Sequence, residues 1–368
     1  MLVNKKSYKS IWLDEADDTV VKVIDQQKLP FSFEIEDLKT VDDVCSVIQN
    51  MTIRGAPLLG AAAAFGMYLS TLELSSHSNV KDHLANAARY LVSTRPTAVN
   101  LSMAVKYMFD KISNENDLAK LTEKARSAAL SFCENEIENC RNIGVNGLKI
   151  IESIRERKAG STVNILTHCN AGWLACVDYG TVTAPIYLAA EKGYDIHVWV
   201  DETRPRNQGA RLTTWELGQN NIPHTLISDN TGGHLMQHGM VDIVLVGCDR
   251  ATIKGDVANK IGTYLKAVAA FDNNIPFYSV LPSTSIDFKI SDGLREIAIE
   301  ERDEEEVLFV NGLTDEGIKN VRICPEGTKA ANYGFDVTPA RLITGLITEE
   351  GICRADEVEI RRMFSGKI

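Results

Sequence analysis

The stretch Val163-Asn164-Ile165-Leu166-Thr167-His168-Cys169-Asn170-Ala171-Gly172 decides the fold, because an apolar run of strand length ends abruptly in a thiol, an amide and a glycine. Similar runs predict strands over residues 163–168, 196–200, 224–228, 243–246 and 277–281. Between them, helical spacing predicts helices near 181–192, 213–220, 233–238 and 260–272. Short buried strands alternating with helices imply a parallel sheet covered by helices on both faces.

Residues 146–368 therefore resemble a doubly wound, Rossmann-like domain. Upstream the texture differs. Alternating segments at 10–13, 19–24 and 31–38 predict a small antiparallel sheet, with Pro30 as punctuation. From Thr40 the period becomes helical, with Asp42 and Asp43 in a first turn and breaks near 52–57, 75–79, 94–96 and 114–116. Residues 1–145 thus read as a sheet-plus-helices domain, and 368 residues are more than one hydrophobic core comfortably holds. The fold class expected is α/β: a small antiparallel sheet with helices, followed by the parallel-sheet domain.

The chain carries 39 Lys and Arg against 50 Asp and Glu, a net charge of −11, so it lacks the cationic excess that binds a nucleic-acid backbone. An anionic substrate needs a local basic pocket to overcome that field. The longest apolar run, 56–69, contains Gly60 and Gly66 and is too short for a membrane span; a buried helix is expected there. No secretory signal is readable at the start. Eight scattered cysteines with no C-x-x-C pair fit a reduced, cytoplasmic protein. No G-x-G-x-x-G follows the first parallel strand, so no dinucleotide cofactor is expected.

Ligands of open α/β sheets sit outside the carboxyl ends of the strands. There the sequence places His168-Cys169-Asn170, Asp201-Glu202-Thr203-Arg204-Pro205-Arg206, Asp229-Asn230 and Gly247-Cys248-Asp249-Arg250. Each has a bland alternative: free cysteines are usually inert packing and strand-end aspartates are common helix caps. The joint pattern raises Cys169 and Asp249 above it, whereas Asp229 is read as a cap. His168 points to the opposite face of an ideal strand from Cys169, which disfavours a Cys–His nucleophile pair. Asp201, Glu202, Asp229, Asp249 and Asp256 form no local ligand motif, so no metal is expected. The acidic block 300–306 reads as solvated. For a phosphate, three cationic segments stand out, each read as lying at a helix start: Arg54-Gly55-Ala56-Pro57, Arg95-Pro96-Thr97, and Gly255-Asp256-Val257-Ala258-Asn259-Lys260.

In this order, these segments resemble the methylthioribose-1-phosphate isomerase family. The carriers are Ile53-Arg54-Gly55-Ala56-Pro57, Arg95-Pro96-Thr97-Ala98-Val99-Asn100-Leu101, Thr167-His168-Cys169-Asn170-Ala171-Gly172, Asp201-Glu202-Thr203-Arg204-Pro205-Arg206-Asn207-Gln208-Gly209, Gly247-Cys248-Asp249-Arg250, Gly255-Asp256-Val257-Ala258-Asn259-Lys260-Ile261-Gly262-Thr263-Tyr264 and Phe335-Asp336-Val337-Thr338-Pro339-Ala340. The resemblance implies an aldose-ketose isomerase of methionine salvage, with Asp249 as proton donor and Cys169 as the second essential group. It further implies that Arg54, Gly55, Ala56, Arg95, Gln208, Asn259 and Lys260 contact the phosphorylated sugar, and that the enzyme is a homodimer without cofactor. The wider superfamily also holds initiation factor 2B regulatory subunits and ribose-1,5-bisphosphate isomerases, so a non-catalytic subunit, or an isomerase acting mainly on 5-deoxyribose 1-phosphate, is the alternative. Cys248 departs from the smaller residue usual at its position.

Overall fold

A computed structural model describes residues 1–75, 79–95 and 99–367. Pro96, Thr97 and Ala98 of the quoted motif lie outside the described residues, as do 76–78 within the expected break at 75–79. The chain divides into two compact units, Met1–Asn142 with Ala171–Ala184, and Ile143–Asn170 with Pro185–Ile368.

In the first unit, β1 (Leu2–Val3) and β2 (Lys6–Ser7) form a hairpin, and β3 (Ile11–Leu13), β4 (Val21–Ile24) and β5 (Ile35–Leu38) form an antiparallel sheet. The third strand is shorter than the expected 31–38, because the Phe31 and Ser32 amides both donate to the Lys28 carbonyl and spend those residues on a turn. Helix α1 (Val41–Gln49) begins in a capping box: Asp43 N–H donates to the Thr40 hydroxyl and the Asp43 carboxylate accepts the Thr40 N–H. Helix α2 (Ala56–Leu72) is buried from Pro57 to Thr71, all the way round, as an Ala-rich helix without a polar face must be. Helices α1, α3 (Val80–Thr94) and α4 (Val99–Ile112) pack on it, and α5 (Leu118–Arg157) follows.

The second unit is built on β6 (Val163–His168), α6 (Thr183–Glu191), β7 (Ile196–Asp201), α7 (Thr214–Gln219), β8 (His224–Ile227), α8 (Thr231–Gln237) and β9 (Ile243–Val246). A hairpin of β10 (Arg250–Thr252) and β11 (Val257–Lys260) leads into α9 (Thr263–Asp272) and β12 (Phe277–Val280). Then come β13 (Ile286–Asp287), α10 (Gly293–Glu296), α11 (Glu305–Leu308), the hairpin β14 (Phe309–Thr314) and β15 (Gly317–Arg322), β16 (Phe335–Thr338), β17 (Gly345–Thr348), β18 (Gly351–Cys353) and α12 (Glu357–Met363). The main sheet has seven strands in the order β18-β17-β12-β9-β6-β7-β8, parallel except for the β18 edge. The five expected strands are present within a residue of their bounds. Missing from the expectation are β17 and β18, short strands that open on glycine, and the hairpin β10–β11, which joins β13 and β16 in a four-stranded sheet.

Counted within this unit, the parallel strands run 3-2-1-4-5-6, the doubly wound order. The order reverses between β6 and β9, which pair directly with His168 beside Val246. In doubly wound sheets ligands bind outside the carboxyl ends of the strands at such a reversal. Beyond β7 the chain turns back through a π-helical turn at Gly209–Thr213. A Cβ at Gly209 would lie 1.7 Å from the Asp201 carbonyl oxygen, so only glycine lets the backbone pass there. Gly209→Ala is expected to cost about 1–3 kcal/mol, the usual cost of overpacking. An unchanged urea midpoint in that variant would contradict the close approach.

Candidate active site

Cys169 is the first residue beyond β6, and Asp249 lies three residues beyond β9. The two therefore follow the adjacent strands that flank the order reversal. Cys169 is half-buried and has a φ of +69°, left-handed backbone that costs a non-glycine residue about 1–3 kcal/mol. Its N–H donates to Thr203 Oγ1 at 2.8 Å, and its carbonyl accepts from Thr213 Oγ1 at 2.7 Å. Thr203 and Asn207 on the neighbouring loop also have positive φ, +66° and +57°, the first unusual for a β-branched residue. Strained residues held by specific hydrogen bonds mark this rim as built for more than packing.

Asp249 is half-exposed, and its N–H donates to the Ala258 carbonyl at 3.0 Å. The hairpin pairs Arg250 with Ala258, so its register carried one residue further sets Asp249 opposite Asn259. Asn259 is buried and donates to Thr263 Oγ1 at 2.9 Å. Lys260 Nζ donates to the Gly334 carbonyl at 2.9 Å and stands 4.9 Å from the Phe335 ring centroid. Gln208 is 5% exposed, with its Oε1 lacking a protein partner among the described residues. These residues and Cys169 belong to one unit. Cys248 beside Asp249 is no rival nucleophile, because burial, and next the Asp249 carboxylate, push its thiol well up.

In the other unit, Gly55 caps α2 with φ +102° and Pro57 lies in the first turn. A Cβ on Gly55 would come 2.5 Å from the Ala175 carbonyl oxygen. Arg54 directly precedes this turn, and Arg95 Nη1 lies 3.2 Å from Met51 Sδ, which brings Arg95 to the same turn. One of the three expected helix-start cations is placed otherwise: Lys260 ends a strand, because Val257 and Ala258 pair on both sides with β10 and β16. Arg95 follows the last turn of α3, and residues 96–98, which lead to α4, lie outside the described residues.

Beneath the rim lies a buried charge cluster. His168, 1% exposed, places Nδ1 2.8 Å from Asp201 Oδ2 and Nε2 2.8 Å from the Ile261 carbonyl oxygen. Both ring nitrogens are thus engaged away from Cys169. Lys266 Nζ sits 3.0 Å from Asp201 Oδ2 and donates to the Asp229 carbonyl at 2.6 Å. His168, Asp201 and Asp229 offer ligand atoms within 4.8 Å of one another, but the Lys266 ammonium already supplies the positive charge a metal would bring. Asp229 is a cap of a different kind from the one expected: its two oxygens accept the Thr203 and Arg204 N–H groups at 2.7 and 2.8 Å, fastening the loop after β7 rather than starting α8. Asp256 accepts the Gly293 and Ala340 N–H groups, each at 3.0 Å. Asp336 accepts the Gly262 and Tyr264 N–H groups at 2.7 and 3.1 Å and holds the start of α9.

The block 300–306 is not wholly solvated. Glu306, 14% exposed, accepts from Arg302 Nη2 at 2.7 Å, Arg206 Nη1 at 2.8 Å and Asn332 Nδ2 at 2.9 Å, and Arg204 Nη2 donates to the Val307 carbonyl at 2.8 Å. Arg204 and Arg206 therefore anchor the loop that carries Gln208.

A family model described as the initiation factor 2 subunit family matches residues 52–355. The chain is 54% identical over 368 residues, 100% of both chains, to a protein named methylthioribose-1-phosphate isomerase from Desulfatibacillum aliphaticivorans. Among solved structures, one titled 5-methylthioribose 1-phosphate isomerase from Pyrococcus horikoshii OT3 aligns with a TM-score of 0.83 at 36% identity, covering 98% of this chain and 97% of that one. Another, titled translation initiation factor eIF-2B subunit delta from A. fulgidus, aligns at 0.81 with 37% identity, covering 98% and 100%.

Burial alone would raise the Glu306 carboxyl, but hydrogen bonds from Arg302 and Arg206 overcome it and bring the group from 4.5 to about 2. Stability from this group is present above pH 4.5 and lost as pH falls towards 2, about 3 kcal/mol in all. The stability difference between the wild type and Glu306→Gln, followed by denaturant titration, should shrink across that window. A difference constant with pH would contradict the clamp.

Proposed function

This chain belongs to the initiation factor 2 subunit family, among its methylthioribose-1-phosphate isomerases, and we propose on that footing that it converts 5-methylthioribose 1-phosphate to 5-methylthioribulose 1-phosphate in methionine salvage. The observation that carries the reading is the pair Cys169 and Asp249, one and three residues beyond the two strands that flank the order reversal. Identity to the named isomerase, 54% over the full chain, exceeds the 37% to the structure titled as an initiation factor subunit, which favours the enzyme over a regulatory subunit.

The anomeric oxygen of the substrate is esterified, so the sugar ring cannot open by losing a proton there. Asp249 acts as the acid that protonates the ring oxygen. Hydrogen then moves from C2 to C1 with Cys169 at the reacting carbons, as base in an enediol route or as a polarising group in a hydride shift. C2 is oxidised as C1 is reduced, so the electrons balance within the sugar and no external redox partner is required. Arg54, Arg95 and Lys260 supply positive charge to the phosphate in a protein of net charge −11. Gly55 and Ala56 offer backbone N–H groups at the start of α2. Gln208, whose buried Oε1 lacks a protein partner among the described residues, and Asn259 orient the sugar hydroxyls. We take residues 1–145 and 146–368 as the two domains and a cytoplasmic homodimer as the working form; no described helix is long and apolar enough to cross a membrane.

Cys169→Ser and Asp249→Asn are each expected to lower turnover by about a thousandfold or more with the fold intact; full rates in both would overturn the assignment. With deuterium at C2, washout to solvent marks the enediol route and retention at C1 the hydride shift. The kcat/KM for the methylthio sugar should exceed that for 5-deoxyribose 1-phosphate by roughly 10–200-fold, the range that one apolar substituent's contacts supply. A preference for the deoxy sugar would reassign the substrate.

A further inference from the structure

Among the described buried groups that the proposed chemistry does not use, His168 is joined to both of its halves. It directly precedes Cys169 and is 1% exposed. Nδ1 faces the Asp201 carboxylate, and Nε2 faces the carbonyl of Ile261, the residue after Lys260. Each ring nitrogen thus stands at hydrogen-bond distance from an acceptor oxygen on a different segment. Asp201 is held in turn by Lys266 Nζ at 3.0 Å, and its own carbonyl accepts from Thr203 Oγ1 at 3.1 Å. That hydroxyl oxygen is the one that receives the Cys169 N–H. Asp229 Oδ1 stands 3.9 Å from Nδ1, and Asp336 accepts the Gly262 N–H.

We propose that His168 is a positioning residue that clamps the carboxyl end of β7 to the turn between β11 and α9, fixing Cys169 on one side and Lys260 on the other. This rests on the assignment of Cys169 to the chemistry and Lys260 to the phosphate. The two contacts have separable consequences. The Nδ1 contact stabilises Asp201 and, through Thr203, the backbone of Cys169, so its loss lowers kcat. The Nε2 contact fixes Ile261 and hence Lys260, so its loss weakens substrate binding.

Two substitutions divide the ring's functions. In His168→Asn the amide nitrogen lies near the Nδ1 position and retains the Asp201 contact. In His168→Gln the longer amide reaches the Nε2 position and retains the Ile261 contact. Steady-state kinetics on the full chain with 5-methylthioribose 1-phosphate, normalised to the folded fraction from thermal melts, should give His168→Asn a KM raised about tenfold with kcat within about threefold of wild type. His168→Gln should show the reverse: kcat lowered about tenfold or more, with KM within about twofold. Equal kcat losses in both variants with KM unchanged, or no change in either constant, would overturn the proposal. Should the variants not fold, Gly262→Ala places a Cβ 3.1 Å from Nε2 while keeping the imidazole, and a raised KM is expected; an unchanged KM overturns the clamp. Cys169→Ser measured alongside separates the two levels. Full activity there defeats the functional assignment itself, whereas an inactive Cys169→Ser with no kinetic split at position 168 defeats only the positioning role.

Discussion

The direct pairing of β6 with β9 is the constraint on which the second unit depends. These neighbours belong to opposite halves of the winding, and in sheets of this kind the ligand crevice lies beyond their carboxyl ends. A side chain following either strand therefore borders that crevice. Everything else in the unit's chemistry refines this geometry: the turn at Gly209 returns the β7 loop towards the sheet, and the hairpin β10–β11 returns Asn259 and Lys260 to the level of Asp249.

Holding that rim is electrostatically expensive. Asp201 is 0% exposed and the Lys266 side chain 5%, so neither charge keeps its hydration. Removing one member of such a pair typically costs about 3–5 kcal/mol, because the other is left buried and uncompensated. The arrangement is tolerable here since each carboxylate meets complementary neighbours: His168 and Lys266 on Asp201 Oδ2, two backbone amides on Asp229, and two more on Asp336. A second anchor lies further out, where Glu306 collects Arg206 and Arg302. Both devices constrain loops rather than the sheet, whose apolar strands are stabilised by burial. They account for how Cys169 and Thr203 remain in unfavourable backbone conformations.

Much of this was legible in the residues. Five parallel strands follow from apolar runs, and α1 from Thr40 with Asp43, because local pattern and final environment agree at those places. The strand-end positions of Cys169 and Asp249 were legible for the same reason. The strands β10 and β11 were not: residues 250–260 mix charged, small and β-branched residues with no clean alternation, and β16, which pairs with β11, is some eighty residues away in sequence. In sequence Glu306 reads as solvated because its six neighbours in the block are charged; its burial depends on Arg206 and Asn332, which no local pattern links to it. Asp229 illustrates the same limit: the sequence indicates a capping carboxylate, but not that it caps a distant loop instead of the adjacent helix. Tertiary partners of charged side chains are the information a single sequence conceals.

The account's central claim is that Cys169 and Asp249 meet one bound sugar. A crystal structure of the protein soaked with 5-methylthioribulose 1-phosphate tests it most directly. The predicted result has Cys169 Sγ beside C1 and C2 and an Asp249 carboxyl oxygen beside the oxygen of the opened ring, each within roughly 3.5 Å, the separation of groups poised to react. A sugar bound with both side chains beyond reach of its reacting atoms would contradict the account.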